Sequence, residues 1–204
     1  MDYTDLLKTI IIGDSNVGKT WLLTDFLGGN VNSTKTTIGV EFHAKTMQID
    51  GRPVKMQLWD TAGQDKYRVI VKQFYRNAVA IALVYDITNY TSFLNLDSWL
   101  EEAAQYIENS YVVMLIGNKA DLTGARQVPR KEAEGFARLK GFLFMETSAK
   151  EATNVNAAFE SLALQAFRAS KREKMIKKAD NDLVMLKASV EAEEAAKRKW
   201  CRWF

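Results

Sequence analysis

Short apolar runs alternate with amphipathic stretches along positions 1–170 of the chain. Apolar runs bounded by turn residues indicate buried strands, whereas apolar residues three or four positions apart indicate helices. The pattern predicts strands at residues 6–12, 41–49, 54–59, 80–86, 111–117 and 142–147. It predicts helices at residues 19–26, 71–76, 92–108, 130–139 and 154–170. Such alternation is typical of an α/β fold, so we expect a mostly parallel six-stranded sheet with helices on both faces.

One pair of strands should depart from the parallel arrangement. Asp50 and Gly51 stand between the strands at 41–49 and 54–59. An Asp-Gly pair between two extended runs is a strong signal for a tight hairpin. We therefore expect these two strands to be antiparallel neighbours.

Length and charge divide the chain into a domain and an extension. The 204 residues suffice for one domain with a full hydrophobic core, expected at 1–170, followed by a charged tail at 171–204. The formal net charge is +3, yet residues 165–204 alone carry 11 Lys/Arg and 6 Asp/Glu. A single cysteine excludes an internal disulfide, and the chain has neither a long apolar span nor a signal pattern, which favours a cytoplasmic protein.

The loop after the first predicted strand carries a phosphate-binding pattern. Residues 13–20 fit G-x-x-x-x-G-K-[ST], in which backbone N–H groups surround phosphates at the start of a helix. Lys19 would reach the terminal phosphates and Thr20 would ligate Mg²⁺. The expected nucleotide contacts in this loop are Asp14, Ser15, Asn16, Val17, Gly18, Lys19 and Thr20. The pattern alone leaves the base undetermined.

Further motifs follow three other predicted strands. They are Asp60-Thr61-Ala62-Gly63-Gln64, Asn118-Lys119-Ala120-Asp121 and Glu146-Thr147-Ser148-Ala149-Lys150. The Asn-Lys-x-Asp motif by itself is as compatible with a solvated polar loop as with a binding site. However, the carboxylate of Asp121 can accept both N–H donors on the guanine edge, and adenine offers no such pair. Open α/β sheets bind ligands where their strands end, so the motifs together predict a guanine nucleotide site.

The same motifs resemble those of the Rab family of small GTPases in the Ras superfamily. The likeness extends from about Leu6 to Phe167 and includes Ile38-Gly39-Val40-Glu41-Phe42, Lys55-Met56-Gln57-Leu58-Trp59 and Phe74-Tyr75-Arg76. By resemblance, Ile38, Phe42, Trp59 and Phe74 contribute to an effector-binding surface. The alternative is that these large apolar residues only pack around the sheet and bind no partner. The resemblance implies a P-loop NTPase G domain.

The resemblance also assigns roles at the site. Thr20 and Thr37 would ligate Mg²⁺, with Asp60 holding it through a water. Thr37 and the Gly63 N–H would sense the γ-phosphate of GTP, and Gln64 would orient the attacking water. The other expected nucleotide contacts are Asn118, Lys119, Asp121, Ser148, Ala149 and Lys150. Residues 28–40 and 60–71 would act as two switches.

The resemblance implies a biological cycle as well. The protein would alternate between GDP and GTP states, hydrolyse GTP slowly, and recruit effectors in vesicle traffic. Its partners would be a GTPase-activating protein, a guanine nucleotide exchange factor and Rab-type effectors, with no nucleic acid, and the protein would be a monomer. The alternative is an adaptor of the same superfamily that binds nucleotide with little or no hydrolysis. Intact Lys19, Thr20, Thr37, Asp60 and Gln64 disfavour that alternative.

One departure from the resemblance affects nucleotide retention. In relatives an aromatic residue early in the first switch covers the guanine ring, whereas residues 27–36 of this chain contain none. Loss of an aromatic stack on a base costs about 1–3 kcal/mol. The sequence therefore predicts faster spontaneous nucleotide exchange than in relatives that have the aromatic.

The tail suggests attachment to a membrane. Apolar residues recur with heptad-like spacing at Ile176, Ala179, Leu183, Leu186 and Val190. A docking helix, a partner helix and a half-disordered stalk all fit; we favour the stalk with local helix. Residues 197–204 are basic and aromatic, and Cys201 stands fourth from the end, a candidate for prenylation although its neighbours are atypical. We expect a peripheral protein on the cytosolic face of an endomembrane.

Overall fold

The computed structural model describes residues 3–29 and 37–200, without the side chains at positions 65, 184, 186 and 188–200. Residues 30–36 of the predicted first switch lie outside the described residues, as does Cys201. The chain divides into two compact units, residues 1–167 and 168–204.

A six-stranded sheet forms the centre of the first unit. Its strands are β1 (Asp5–Ile12), β2 (Val40–Ile49), β3 (Arg52–Thr61), β4 (Ala80–Asp86), β5 (Val112–Asn118) and β6 (Leu143–Glu146). Their order across the sheet is β2-β3-β1-β4-β5-β6. All neighbours are parallel except β2 and β3, which form the expected hairpin with Phe42 opposite Trp59. The predicted fold class is therefore confirmed.

The helices are α1 (Lys19–Phe26), α2 (Arg68–Tyr75), α3 (Tyr90–Leu94), α4 (Leu96–Ala104), α5 (Arg130–Lys140) and α6 (Val155–Trp200). Short 3₁₀ turns precede α2 at Asp65–Tyr67 and follow β5 at Thr123–Ala125. The single helix predicted over 92–108 is wrong: it is divided at Asn95 and ends four residues earlier, at Ala104. Asn89 caps the first piece by accepting a hydrogen bond from the Ser92 N–H.

Helices cover both faces of the sheet. On one face α1 and the start of α6 pack against the strands, and Phe26 stacks on Phe159 with ring centroids 4.5 Å apart. On the other face α2, α4 and α5 bury Val71, Trp99 and Ala133. Because strands covered on both sides have no polar face, every residue of β4 is buried. This packing fixes the ends of the strands, where the binding motifs lie.

The second unit is described as helix through Trp200, which is longer than the local helix favoured from sequence. Met175, Ile176, Leu183 and Met185 on it are exposed. An i,i+4 ion pair joins Lys177 and Glu173 at 2.7 Å. Within the described part of the chain, none of the helices combines the length and apolar character needed to cross a bilayer.

Candidate functional site

A cavity of about 430 Å³ opens where β1, β3 and β5 end, and the motif loops surround it. Its described lining residues are Ser15, Asn16, Gly18, Lys19, Thr20, Trp21, Thr37, Thr61, Gly63, Asn118, Lys119, Asp121, Leu122, Ala149 and Lys150. Four motifs that are spread over residues 13–150 of the chain thus meet around one cavity. Asp14, Val17, Asp60, Gln64 and Ser148 were also expected at the site but are not part of this lining.

The phosphate loop is held to the sheet by Asn118. Its side-chain amide donates a hydrogen bond of 2.8 Å to the Val17 carbonyl oxygen. Gly18 has φ +97°, and a Cβ there would lie 2.3 Å from the Asn118 amide nitrogen. Only glycine permits both the backbone conformation and this close approach. The loop therefore leads directly into α1, which begins at Lys19 with the positive end of its dipole beside the cavity.

Lys19 is the buried cation of the site, with a relative exposure of 5%. Its ammonium donates hydrogen bonds of 2.8 Å to the carbonyl oxygens of Gly13 and Asp14. Burial lowers the pKa of Lys19 to about 8, against the opposing influence of the Asp60 and Asp14 carboxylates. An anion in the cavity would favour the charged ammonium, so the side chain is suited to a phosphate group.

Three side-chain oxygens meet beside Lys19. The Thr20 hydroxyl donates to Asp60 Oδ2 at 2.5 Å, and Thr20 Oγ1 lies 2.8 Å from Thr37 Oγ1. Asp60 is fully buried, which raises the pKa of its carboxyl group, and Oδ1 has no hydrogen-bond partner among the described residues. Hydroxyl and carboxylate oxygens are the hard ligands that Mg²⁺ prefers. The donor set and the unpartnered buried oxygen therefore fit this ion.

The opposite end of the cavity suits a base edge. Asp121 lines the cavity, and its Oδ1 accepts a hydrogen bond of 2.6 Å from the Ser148 hydroxyl. Ser148 itself is buried behind it. Lys119 has φ +65° and forms an ion pair of 2.6 Å with Asp86. These contacts fix the position of the Asp121 carboxylate at the cavity and hold the Asn-Lys-x-Asp loop in place.

Gly63 lies against the phosphate loop. A Cβ at this position would be 2.4 Å from the Ser15 nitrogen, so a side chain would force the two segments apart. Gln64 follows directly, is half-buried, and accepts the Tyr67 N–H at its backbone carbonyl. Gln64 is not among the described lining residues of the cavity, whereas its neighbour Gly63 is, so the role expected for Gln64 stays a prediction.

The side chain of Asp14 attaches the phosphate loop to a neighbouring helix. Its two carboxylate oxygens accept hydrogen bonds from Asn95 Nδ2 at 2.7 Å and Trp99 Nε1 at 2.8 Å. The Arg68 guanidinium lies 4.2 Å from the ring centroid of Trp99. The carboxylate therefore ties the phosphate loop to α4, and only the main chain of Asp14 remains for a ligand.

Asn95, Trp99 and Asp86 were missed by sequence reasoning. Asn95 and Trp99 are more than 80 residues from Asp14, and no local pattern links them to it. Trp21, Thr61 and Leu122 also line the cavity without having been predicted. For these three the signal was present, since Thr61 belongs to a recognised motif and Trp21 and Leu122 each directly follow one.

An aromatic surface extends from β2 to α2. The rings of Phe42 and Trp59 are 4.8 Å apart, and those of Trp59 and Phe74 are 5.0 Å apart. Phe42 is 49% exposed and the nearby Ile38 is 76% exposed. This surface runs from Ile38 in the first predicted switch to Phe74 in α2, the helix that begins in the second. It therefore lies beside both predicted switches.

Comparisons with known proteins agree with the fold and identify the family of this chain. Residues 8–168 match the Ras family, and the chain belongs to that family of GTPases. It is 45% identical to the Ras-related protein RABA1b of Arabidopsis thaliana over 175 residues, which is 85% of this chain and 81% of that protein. The chain is therefore a Rab-like small GTPase of the Ras superfamily.

The membership defines the activity. The protein binds GTP and GDP with Mg²⁺, hydrolyses GTP, and functions in vesicle traffic. As a family, Rabs work with GTPase-activating proteins, exchange factors and effectors, and they associate with endomembranes. No observation favours the alternative of an adaptor without hydrolysis.

Proposed function

We propose that the cavity holds GTP with its phosphates at the loop of residues 13–20 and its base at Asp121. The observation that carries this proposal is the meeting of the Thr20, Thr37 and Asp60 oxygens beside the buried ammonium of Lys19. Thr20 and Thr37 would ligate Mg²⁺, with Asp60 completing the site. When bound, Mg²⁺ would neutralise part of the negative charge on the phosphate oxygens.

The hydrolytic step requires little covalent chemistry from the protein. A water oxygen attacks the γ-phosphorus, the bond to the bridging oxygen breaks, and GDP and phosphate are released. In this proposal Lys19 and the loop N–H groups stabilise the phosphate charge, and the Gln64 amide orients the water. No arginine belongs to the described lining of the cavity, so the rate should stay low until an activating protein supplies one.

The proposed switch movement follows from two contacts. Thr37 reaches the cavity through the Thr20 hydroxyl, and Gly63 reaches it through the backbone of Ser15. Both contacts would be stabilised by a γ-phosphate and weakened once it leaves. Because the surface of Ile38, Phe42, Trp59 and Phe74 lies between these segments, effectors would distinguish the two states there.

Leucine in place of Gln64 should suppress hydrolysis without weakening nucleotide binding. Leucine has a similar volume but cannot orient water by hydrogen bonding. In single-turnover phosphate-release assays, we expect slow unassisted hydrolysis in the wild type and slower hydrolysis in Gln64→Leu. The variant should also lose most of the acceleration by a Rab-directed activating protein, which is about 10³- to 10⁵-fold in such systems.

The exposed Gln105, at the end of α4, provides a matched control for that experiment. Gln105→Leu should hydrolyse GTP at the wild-type rate. Fast unassisted cleavage that is equal in the wild type and Gln64→Leu would contradict the role given to Gln64.

We further propose that the protein is a monomer with a G domain at 1–170 and a tail at 171–204, the tail placing it on the cytosolic face of an endomembrane. The unit boundary at Phe167 supports this division. The basic excess of the tail favours an anionic lipid surface, and a prenyl chain on Cys201 would provide the second attachment.

Serine in place of Cys201 should release the protein from membranes. One lipid chain with a basic segment gives stable attachment, whereas the basic segment alone binds weakly. In fractionated cells of the native source, a tagged Cys201→Ser variant should move to the soluble fraction and lose the mass of a prenyl group. Ser189→Ala, in the same tail, should leave both properties unchanged. An unmodified wild-type mass would exclude lipidation.

A further inference from the structure

Trp21 does not belong to the hydrophobic core on either face of the sheet. It follows Thr20 in the first turn of α1, is half-buried, and belongs to neither cluster of buried core residues. The neighbours that anchor α1 are Leu22, Leu23 and Phe26, all with a relative exposure of 2% or less. The size of the Trp21 side chain is therefore not explained by packing of the helix on the sheet.

Trp21 instead lines the cavity. Helical side chains are tilted toward the N-terminus of their helix, and the N-terminus of α1 faces the phosphate loop. The residues that share this cavity with Trp21 include Lys119, Asp121 and Leu122 at the base end. Among the described lining residues Trp21 is the only aromatic one.

A bound guanosine has apolar surface that the polar residues of the cavity cannot cover favourably. Asp121 can satisfy the hydrogen-bonding edge of the base, but the faces of the purine and the carbons of the ribose are apolar. Stacking of an aromatic ring on such a face is favourable for every base. The sequence of residues 27–36 supplies no aromatic group for it.

We infer that Trp21 packs its indole against the guanosine part of the bound nucleotide and so determines how long the nucleotide is retained. The inference rests on the proposed binding of guanine nucleotide in this cavity. It also revises the exchange rate expected from sequence, because Trp21 offsets the missing aromatic of the first switch.

Truncation of Trp21 tests the inference directly. In the full chain, Trp21→Ala should release a fluorescent GDP analogue about tenfold or more faster than the wild type, in keeping with the loss of one aromatic stack. Trp21→Phe, which keeps an aromatic ring, should remain within a few fold of the wild type. Tyr3→Ala removes an exposed aromatic that precedes β1, at the end of the strand opposite the phosphate loop, and should leave the release rate unchanged.

A ligand without a base separates contact from a general effect on folding. Pyrophosphate should compete for the phosphate loop equally well in the wild type and Trp21→Ala. Equal losses of pyrophosphate and GDP affinity would overturn the inference, since the substitution would then be acting on the loop. An unchanged GDP release rate in Trp21→Ala would also overturn it while the wild type still binds GDP. Failure of the wild type to bind GDP would instead contradict the proposed site as a whole.

Discussion

Asparagine in place of Asp121 is expected to turn a protein that prefers guanine nucleotides into one that prefers xanthine nucleotides. The carboxylate accepts hydrogen bonds from the N1–H and the 2-amino group of guanine. Xanthine has a carbonyl oxygen where guanine has that amino group, so a carboxylate faces it with two acceptors. The asparagine amide offers one acceptor and one donor, which match N1–H and the carbonyl of xanthine.

The expected change in nucleotide preference is large because the Asp121 carboxylate is fixed in position. Asp121 cannot turn away from the ligand without breaking its 2.6 Å hydrogen bond with Ser148, a residue that is 1% exposed. Sites that pair a buried hydrogen-bonding group reject a mismatched ligand by about 10⁴- to 10⁵-fold. We therefore expect the ratio of GDP to XDP affinity to fall by about 10⁴-fold in Asp121→Asn.

Competition of GDP and XDP against a fluorescent nucleotide measures this ratio. Asp97 in α4 is about half exposed and paired with Lys140, so Asp97→Asn is a matched control and should retain the guanine preference. If Asp121→Asn keeps the wild-type ratio, Asp121 does not read the base and the orientation proposed for the nucleotide is wrong.

The second large effect should come from Lys19→Ala. The substitution removes a cation that is 5% exposed and leaves the carbonyl oxygens of Gly13 and Asp14 without their donor. Truncation of one partner of a buried charge pair typically costs about 2–5 kcal/mol of binding free energy. We expect GTP and GDP affinities to fall together by about 100-fold or more, since both ligands carry phosphates at this position.

Calorimetric titration of nucleotide-free protein measures that loss. Lys131→Ala, on the exposed face of α5, is a control of equal charge change and should bind as the wild type does. Lys19→Arg should restore binding only in part, because a planar guanidinium does not reproduce the compact ammonium. Stoichiometric GDP in purified Lys19→Ala would show that the phosphates do not depend on this side chain.

The fold was accessible from sequence because its signals are local. β4 carries no charged residue before its last one, Asp86, since it is covered on both faces, and Asp50-Gly51 marks the antiparallel pair of β2 and β3. The helix predicted over 92–108 failed for the opposite reason. Its apolar periodicity continues past Asn95, but the side chain of Asn95 is bonded to Asp14 in a distant loop, and the helix is divided there.

The site, too, contains residues that could be predicted from local motifs and contacts that could not. Lys19, Asn118 and Asp121 could be predicted because each belongs to a short motif at the end of a strand. The nucleotide contact of Asp14 through the loop backbone stays a prediction, whereas the hydrogen bond between its carboxylate and Trp99 could not be predicted. That hydrogen bond depends on how α4 packs on the sheet, and no sequence pattern predicts it. Trp21 was overlooked because the motif definition ends at Thr20, one residue earlier.

The pairing of Asp14 with α4 has a mechanical consequence. Both carboxylate oxygens are held by Asn95 and Trp99, which lie outside the two segments expected to rearrange. These two hydrogen bonds should limit the movement of the phosphate loop when a phosphate is released. We therefore expect the flanking segments to take up the structural response to hydrolysis and to present it to a partner protein.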